Sequence, residues 1–305
     1  MGRINCEKHS VSLLTGCCKR NGSRMAIFYV DGRYVSADQA VLPVTDLAVL
    51  RGYGVFDLFR TYNGKPFHWP AHLERLIGSA RRIGLTIPWS REELTGIVME
   101  TIRKNPEITN AYVRVVITGG TSSDFATFEN QPRLLVLISP IPIYPDGWYQ
   151  KGVTLITLYQ ERNIPDAKSI DYIPAALAMK KARQQGAVEV LYLDTAGQVL
   201  EGTSTNVFLF SKGKLITPAE GILSGITRKV VIETARPVFP LEIREVPLKE
   251  LLAADEVFIT GTSKGIVPVV QVDEIVIGNG RPGTRTIQLT KMLDVAIERT
   301  IAADA

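Results

Sequence analysis

Lys168 and Glu201 are the residues whose types and placement could do chemistry. Lys168 stands in Asp166-Ala167-Lys168-Ser169-Ile170-Asp171-Tyr172, ahead of an apolar-periodic segment and outside any obvious helix face. Glu201 follows a strand, a turn at Thr195-Ala196-Gly197 and a short return strand. Such a hairpin can bring a glutamate back into a cleft beside a loop lysine. An amine and a carboxylate facing each other across a flat, electron-withdrawing ring can run that ring as an electron sink. The amine condenses with an aldehyde on the ring, and the acid keeps a proton on the ring nitrogen. Taken alone, each of the two residues is more often a solvated charge.

A ring of that kind usually carries an anionic handle, and three segments could hold one. Gly221-Ile222-Leu223-Ser224-Gly225-Ile226-Thr227-Arg228 runs directly into a helical pattern. Its glycines allow close backbone approach, and the free N–H groups and dipole of a helix start favour a phosphate. The same residues also fit a plain glycine turn with Thr227 as N-cap. Thr260-Gly261-Thr262-Ser263 is a second hydroxyl-rich turn after a strand. Arg75, in His72-Leu73-Glu74-Arg75-Leu76, offers a guanidinium fork suited to a phosphate dianion, or is a solvated helix arginine.

These segments together resemble the class IV aminotransferases, the group that shares the branched-chain and D-amino acid aminotransferase fold. Lys168 followed by a small polar run and Tyr172 resembles the family's Schiff-base lysine segment. Glu201-Gly202-Thr203-Ser204-Thr205-Asn206-Val207-Phe208 matches E-G-x-x-x-N-x-F, Gly221 to Arg228 matches G-x-x-x-G-x-T-R, and His72 to Leu76 is similar to H-x-x-R-L. The resemblance runs from about Met25 to the C-terminus, with the motifs in family order. It implies pyridoxal 5′-phosphate as cofactor and Lys168 as the catalytic residue that holds it and then shuttles a proton. By the same resemblance Glu201 faces the ring nitrogen, Tyr172 the phenolate oxygen, and Leu223 packs on the ring. Arg75, Ile226, Thr227 and Thr262 would hold the phosphate. Such a lysine must be able to lose its proton, so its pKa should be depressed by an apolar site and nearby positive charge.

Substrate residues follow from the same source. Tyr112-Val113-Arg114 resembles the Y-x-R of branched-chain enzymes, where the tyrosine helps hold the α-carboxylate and the arginine receives a distal carboxylate. It fits equally a strand with its outer face in water. Phe56 and Arg60 match V-F-E-G-x-R in outline and would wall the side-chain pocket, while the backbone at Thr262 and Ser263 would face the substrate carboxylate. Three departures stand out. Asp57-Leu58 replaces E-G, Arg51 takes a place usually held by tyrosine, and Lys264 one usually small or acidic. Extra cations at Arg51 and Lys264 would favour a keto acid with more negative charge. Reversing either charge should then raise KM for 2-oxoglutarate more than for a neutral keto acid. The leading expectation is transfer from a branched-chain L-amino acid to 2-oxoglutarate by a ping-pong mechanism. D-amino acid aminotransferase, (R)-amine transaminase and aminodeoxychorismate lyase share the fold. A protein that binds the cofactor without catalysis is the non-enzymatic alternative.

The elements that must position these residues fit a chain of 305 residues with 45 % hydrophobic and 22 % charged side chains, the balance of an ordinary globular protein. A net charge of +4 from dispersed residues is no nucleic-acid footprint, and no apolar run is long enough to cross a bilayer. Cys6, Cys17 and Cys18 all fall at the N-terminus, and with His9, His68 and His72 they offer neither a disulfide framework nor a metal site. Residues 1–24 read as a poorly ordered extension without a signal-peptide core, Met25 being an alternative start, and the compartment as the cytoplasm. Hairpin signals lie at Asp31-Gly32 and Asn63-Gly64, a helical pattern at Leu73, Leu76, Ile77 and Ala80, and a second helix from Ser90. Strands follow near 111–118 and 132–139.

The Pro- and Gly-rich segment 141–150 reads as a linker between a small α/β domain, 25–140, and a large cofactor-binding domain, 151–305. No G-x-G-x-x-G or strict strand–helix alternation supports a doubly wound sheet. The resemblance implies a two-domain α+β / α/β fold of fold type IV (D-amino acid aminotransferase-like), the larger domain built around a β-barrel-like core. It also implies amino acids and keto acids as the small-molecule partners, and a homodimer or higher homo-oligomer.

Overall fold

The computed structural model describes residues 25–303. Residues 1–24, with the three cysteines and the expected N-terminal extension, lie outside the described residues.

The N-terminal half forms a six-stranded antiparallel sheet in the order β2-β1-β6-β5-β3-β4. Its strands are β1 (Ile27–Val30), β2 (Arg33–Ser36), β3 (Gly54–Tyr62), β4 (Lys65–Pro66), β5 (Ala111–Thr118) and β6 (Arg133–Pro140). The two hairpin signals are real turns: Asp31-Gly32 and Asn63-Gly64 each place two consecutive residues at positive φ. Alternation on β3 and β5 gives the sheet two faces. Val55, Phe59, Val113, Val115 and Ile117 point inward and pack with Leu73, Leu76 and Ala80 of α2 (Trp69–Arg82) and Leu94 and Val98 of α3 (Arg91–Arg103). Helix α3 opens on a capping box, Ser90 accepting from the Glu93 N–H and Glu93 from the Ser90 N–H. The short α1 (Leu47–Arg51) precedes β3.

The C-terminal half is a curled nine-stranded sheet. Its strands are β7 (Val153–Tyr159), β8 (Glu189–Leu193), β9 (Val199–Gly202), β10 (Asn206–Ser211), β11 (Lys214–Thr217), β12 (Leu241–Ile243), β13 (Glu256–Gly261), β14 (Gly265–Val272) and β15 (Ile275–Val276). The order is β12-β11-β10-β13-β14-β7-β8-β9, with β15 paired to β14. Helix α4 (Gly147–Gln150) lies between the two sheets in sequence, and α5 (Ile173–Gln184) follows the lysine segment. Helices α6 (Ile226–Ala235) and α8 (Thr284–Ala303) bury Val230, Val231, Leu289 and Leu293 against Phe208, Phe210 and Phe258. Helix α7 (Leu248–Leu252) precedes β13.

Elements of five residues or fewer, such as α1, α4, α7, β4 and β15, carry no period long enough to read from sequence. Helix α6 starts at Ile226 with Gly225 as N-cap, so Thr227 sits inside the first turn and does not cap it.

Candidate active site

The lysine segment belongs to the C-terminal half, yet the N-terminal sheet holds it. Phe56 N–H donates to the Lys168 carbonyl at 2.9 Å and Ile170 N–H to the Gly54 carbonyl at 3.1 Å, with a bridge between Val55 and Ser169. The segment therefore runs as a short antiparallel strand along the start of β3. Gly54 permits this approach: a Cβ there would stand 2.8 Å from the Ile117 carbonyl and 3.1 Å from the Ile170 side chain. Lys168 N–H donates to Ser79 Oγ on α2 at 3.1 Å. The Lys168 amine then lies 4.7 Å from the centre of the Phe56 ring, whose edge also meets Tyr172. Burial, together with the positive charges of Arg75 and Arg162, lowers the Lys168 pKa to about 8.

Arg75 reaches the cleft from α2. Its Nε and Nη2 each lie 2.8 Å from the Asp57 carboxylate, and His72 Nδ1 sits 2.7 Å from the same group. Asp57 is fully buried on β3, its side chain turned toward α2. Burial alone would raise its pKa, but Arg75 and His72 outweigh that and hold the carboxyl well below the usual range. Burial lowers the His72 pKa, which favours the neutral ring.

Glu201, at the end of β9, is buried and accepts from the Leu223 N–H at 3.0 Å, while Arg162 Nε contacts its other oxygen at 2.8 Å. Burial pushes Glu201 upward in pKa and the Arg162 cation opposes it. Asn206 donates to the Leu223 carbonyl at 2.9 Å, so the acid and the glycine turn are tied through one side chain. A Cβ at Gly225 would fall 2.0 Å from Asn206 Oδ1, so this turn needs its glycine.

Lys168, Arg75, Tyr172, Glu201, Leu223, Ile226, Thr227 and Thr262 all line one cleft with about 500 Å³ of empty space. Its lining carries both signs of charge. Arg75 and the start of α6, where no side chain caps the helix, offer positive groups, and Glu201 an acidic one. Thr260 Oγ1, also on the wall, is buried without a partner. A flat ring carrying a phosphate at one end and a basic nitrogen at the other matches this distribution of donors and acceptors, so the residues present fit pyridoxal phosphate.

Phe56, Arg60, Tyr112, Arg114 and Ser263 do not line that cleft. Phe56, Leu58 and Arg60 have Val116, Arg114 and Tyr112 as their register partners on β5. The Arg114 guanidinium lies 4.9 Å from the Phe56 ring, and Arg60 stacks over Tyr62 at 4.0 Å. The Tyr112 hydroxyl and Arg60 Nε are buried without a well-formed hydrogen bond, the Tyr144 hydroxyl being the polar neighbour of Tyr112. Burial raises the Tyr112 pKa strongly. Ser263 accepts from the Tyr144 hydroxyl at 3.0 Å. Arg51 borders a second cavity, which shares Arg162, Tyr172 and Thr203 with the cleft. Lys264 is paired with Glu189 at 3.4 Å.

Sequence reasoning missed Arg162, Asn206 and Glu189, and placed Asp57 only as a departure. Arg162 stands six positions before Lys168, in a segment without period or motif, and its partner Glu201 is distant in sequence. The run Glu201 to Asn206 did contain Asn206, whose amide becomes meaningful only once Leu223 is beside it.

Among the described residues no helix is long and apolar enough to cross a membrane, and no cluster of His, Cys, Asp and Glu could hold a metal ion. A family model described as amino-transferase class IV matches residues 54–272. A protein of Methanocaldococcus jannaschii that carries the name of a branched-chain-amino-acid aminotransferase is 37 % identical over 270 residues, 86 % of this chain and 93 % of the relative. A D-alanine aminotransferase of Listeria monocytogenes is 33 % identical over 267 residues, 85 % and 92 % of the two chains. Among solved structures, a branched-chain amino acid aminotransferase with pyridoxamine 5′-phosphate, from the organism abbreviated T.th., superposes with a TM-score of 0.83 at 28 % identity, covering 90 % of this chain and 94 % of the other.

Proposed function

We propose, from the premise that this chain belongs to the class IV aminotransferases, that it moves the amino group of a branched-chain, hydrophobic L-amino acid to 2-oxoglutarate in two half-reactions. Bound pyridoxal phosphate supplies the aldehyde that carries the nitrogen and the ring that withdraws electrons. Arg75, held by Asp57, would bind the phosphate together with the N–H groups at the start of α6, the Thr227 hydroxyl and Thr262. Glu201, with Arg162 against it, would hold the proton on the ring nitrogen. Leu223 would pack on the ring and Tyr172 hydrogen-bond its oxygen. Lys168 would move the proton at the substrate α-carbon. With a pKa near 8 it is partly neutral at physiological pH, which a base needs.

The observation that carries the reading is the Lys168 amine standing against the Phe56 ring, an apolar aromatic wall within reach of the proton-transferring group. Phe56 and Tyr172 would receive an aliphatic side chain. Tyr112, with its buried hydroxyl, and the backbone at Thr262 and Ser263 would take the α-carboxylate, and Arg114 or Arg60 a distal carboxylate. A D-amino acid donor is the second reading. The Listeria relative favours it.

Mixing the yellow protein with L-leucine, D-alanine, an (R)-amine and aminodeoxychorismate decides among these. Rapid bleaching by L-leucine, with 2-oxoglutarate restoring the colour, is expected; bleaching by D-alanine alone overturns the branched-chain reading. Pyruvate release from aminodeoxychorismate without a keto acid would mark a lyase. We also infer a homodimer, supported by exposed Ile143, Ile173 and Leu177, and a cytoplasmic location, supported by a sequence with cysteines only at its N-terminus.

A further inference from the structure

A largely buried ion pair ties two neighbouring segments of the cleft lining together. Glu189 opens β8 and is fully buried. It accepts from the Thr203 N–H at 3.1 Å and the Thr203 hydroxyl on one oxygen, and from Ser204 Oγ at 2.9 Å on the other. These residues form the β9–β10 corner that begins at Glu201. Lys264 comes from the β13–β14 turn that follows Thr262, beside that corner, because β10 and β13 pair with Asn206 opposite Thr260. Its ammonium reaches Glu189 at 3.4 Å and Ser204 Oγ at 3.2 Å, with 12 % of its side chain exposed. From the outer side the same turn is held by the segment joining the two sheets. Tyr149 donates to the Lys264 carbonyl at 3.1 Å, and Tyr144 donates to Ser263.

We propose that Glu189 and Lys264 form a clamp, two positioning residues that fix the Thr262 turn against the neighbouring Glu201 corner in the lining of the cofactor cleft. The β10–β13 ladder ends at Asn206 and Thr260; beyond it, a buried carboxylate stripped of its cation is strongly unfavourable, so the Thr262 turn keeps its place on the corner only while both charges are present. The clamp also assigns the Lys264 charge to Glu189, which leaves it unavailable to a substrate carboxylate. This inference rests on the cofactor site and not on the identity of the amino donor.

The test compares Lys264→Met, Lys264→Arg, Glu189→Gln and the double variant Lys264→Met/Glu189→Gln. Apoprotein is titrated with pyridoxal phosphate by its yellow absorbance, and thermal melting reports the fold. Lys264→Met, which leaves Glu189 uncompensated, should melt below the wild type and bind pyridoxal phosphate about tenfold more weakly, Lys264→Arg should recover most of both losses, and the double variant should be no worse than the worse single one. In turnover, Lys264→Met should raise KM for 2-oxoglutarate and for pyruvate by the same factor, with a smaller change in kcat. If Glu189→Gln does not fold, Ser204→Ala, which removes the hydroxyl shared by both charges, takes its place in the cycle. Unchanged pyridoxal phosphate affinity in Lys264→Met, strictly additive losses, or a KM increase confined to 2-oxoglutarate would overturn the clamp. The titration stands even if neither keto acid proves to be the acceptor.

Discussion

Asp57 and Arg75 meet through two hydrogen bonds of 2.8 Å each, on the face of β3 that turns away from the Phe56 ring. One strand thus sets an aromatic ring beside the Lys168 amine on one side and, on the other, fixes the Arg75 side chain that lines the cleft. With the Asp57 carboxylate fully buried and the Arg75 side chain 10 % exposed, the pair is geometry-dependent, and removing one partner leaves the other uncompensated. Asp57→Asn should bind pyridoxal phosphate about tenfold more weakly and lose roughly 3 kcal/mol of stability. Apoprotein titration and denaturant unfolding check the two effects separately. Loss of stability with unchanged cofactor affinity would mean that Arg75 does not need Asp57 to hold phosphate.

The same pair sets an acid limit. Asp57 has a folded-state pKa depressed below its unfolded value near 4, so its stabilisation is fully present above about pH 4 and is lost as pH falls toward the folded value. Denaturant midpoints measured from about pH 6 downward should fall less steeply in Asp57→Asn than in the wild type. Parallel profiles would show that Asp57 titrates alike in both states.

Lys168 should govern the pH dependence of cofactor capture. Only the neutral amine adds to an aldehyde, and its pKa is near 8, below the ordinary lysine value. The rate at which apoprotein turns yellow should rise between about pH 7 and pH 9 and then level off. A rate still climbing tenfold per pH unit above about pH 9 would place the amine at an unperturbed value.

Arg162 bears on the acid, not on the phosphate. Arg162→Met removes the cation that opposes the upward shift of Glu201, so a larger fraction of Glu201 becomes protonated and less able to hold charge at the ring nitrogen. We expect kcat to fall about tenfold or more, with pyridoxal phosphate affinity changed by less than about threefold. Stopped-flow half-reactions and apoprotein titration measure the two, and the reverse pattern would make Arg162 a binding residue.

Phe56 is packed against both Lys168 and Tyr172. Phe56→Ala opens the wall to water and removes apolar surface worth about 2 kcal/mol to a bound aliphatic side chain. The specificity constant kcat/KM for L-leucine should drop about thirtyfold, and that for alanine much less. Equal losses for both amino acids would move the side-chain pocket elsewhere.

The features legible in the chain before folding are local and periodic. The glycine turns, the Ser90 capping box, the alternation of β3 and β5 and the ordered run of motifs around Lys168, Glu201, Gly221 and Thr260 are short-range signals, and they sufficed for the family and its cofactor. The contacts decided only by tertiary structure link positions far apart in sequence. Lys168 is zipped to β3 by backbone hydrogen bonds that any side chain could make, so no residue type announces them. Asp57, read as a departure from a family pattern, proves to be Arg75's partner because strand alternation turns it toward α2. Lys264, read as a free cation near the substrate, is instead neutralised by Glu189 from a strand 75 residues away. Charge is visible in a sequence, but its compensation depends on distances of a few ångströms that only the folded chain sets.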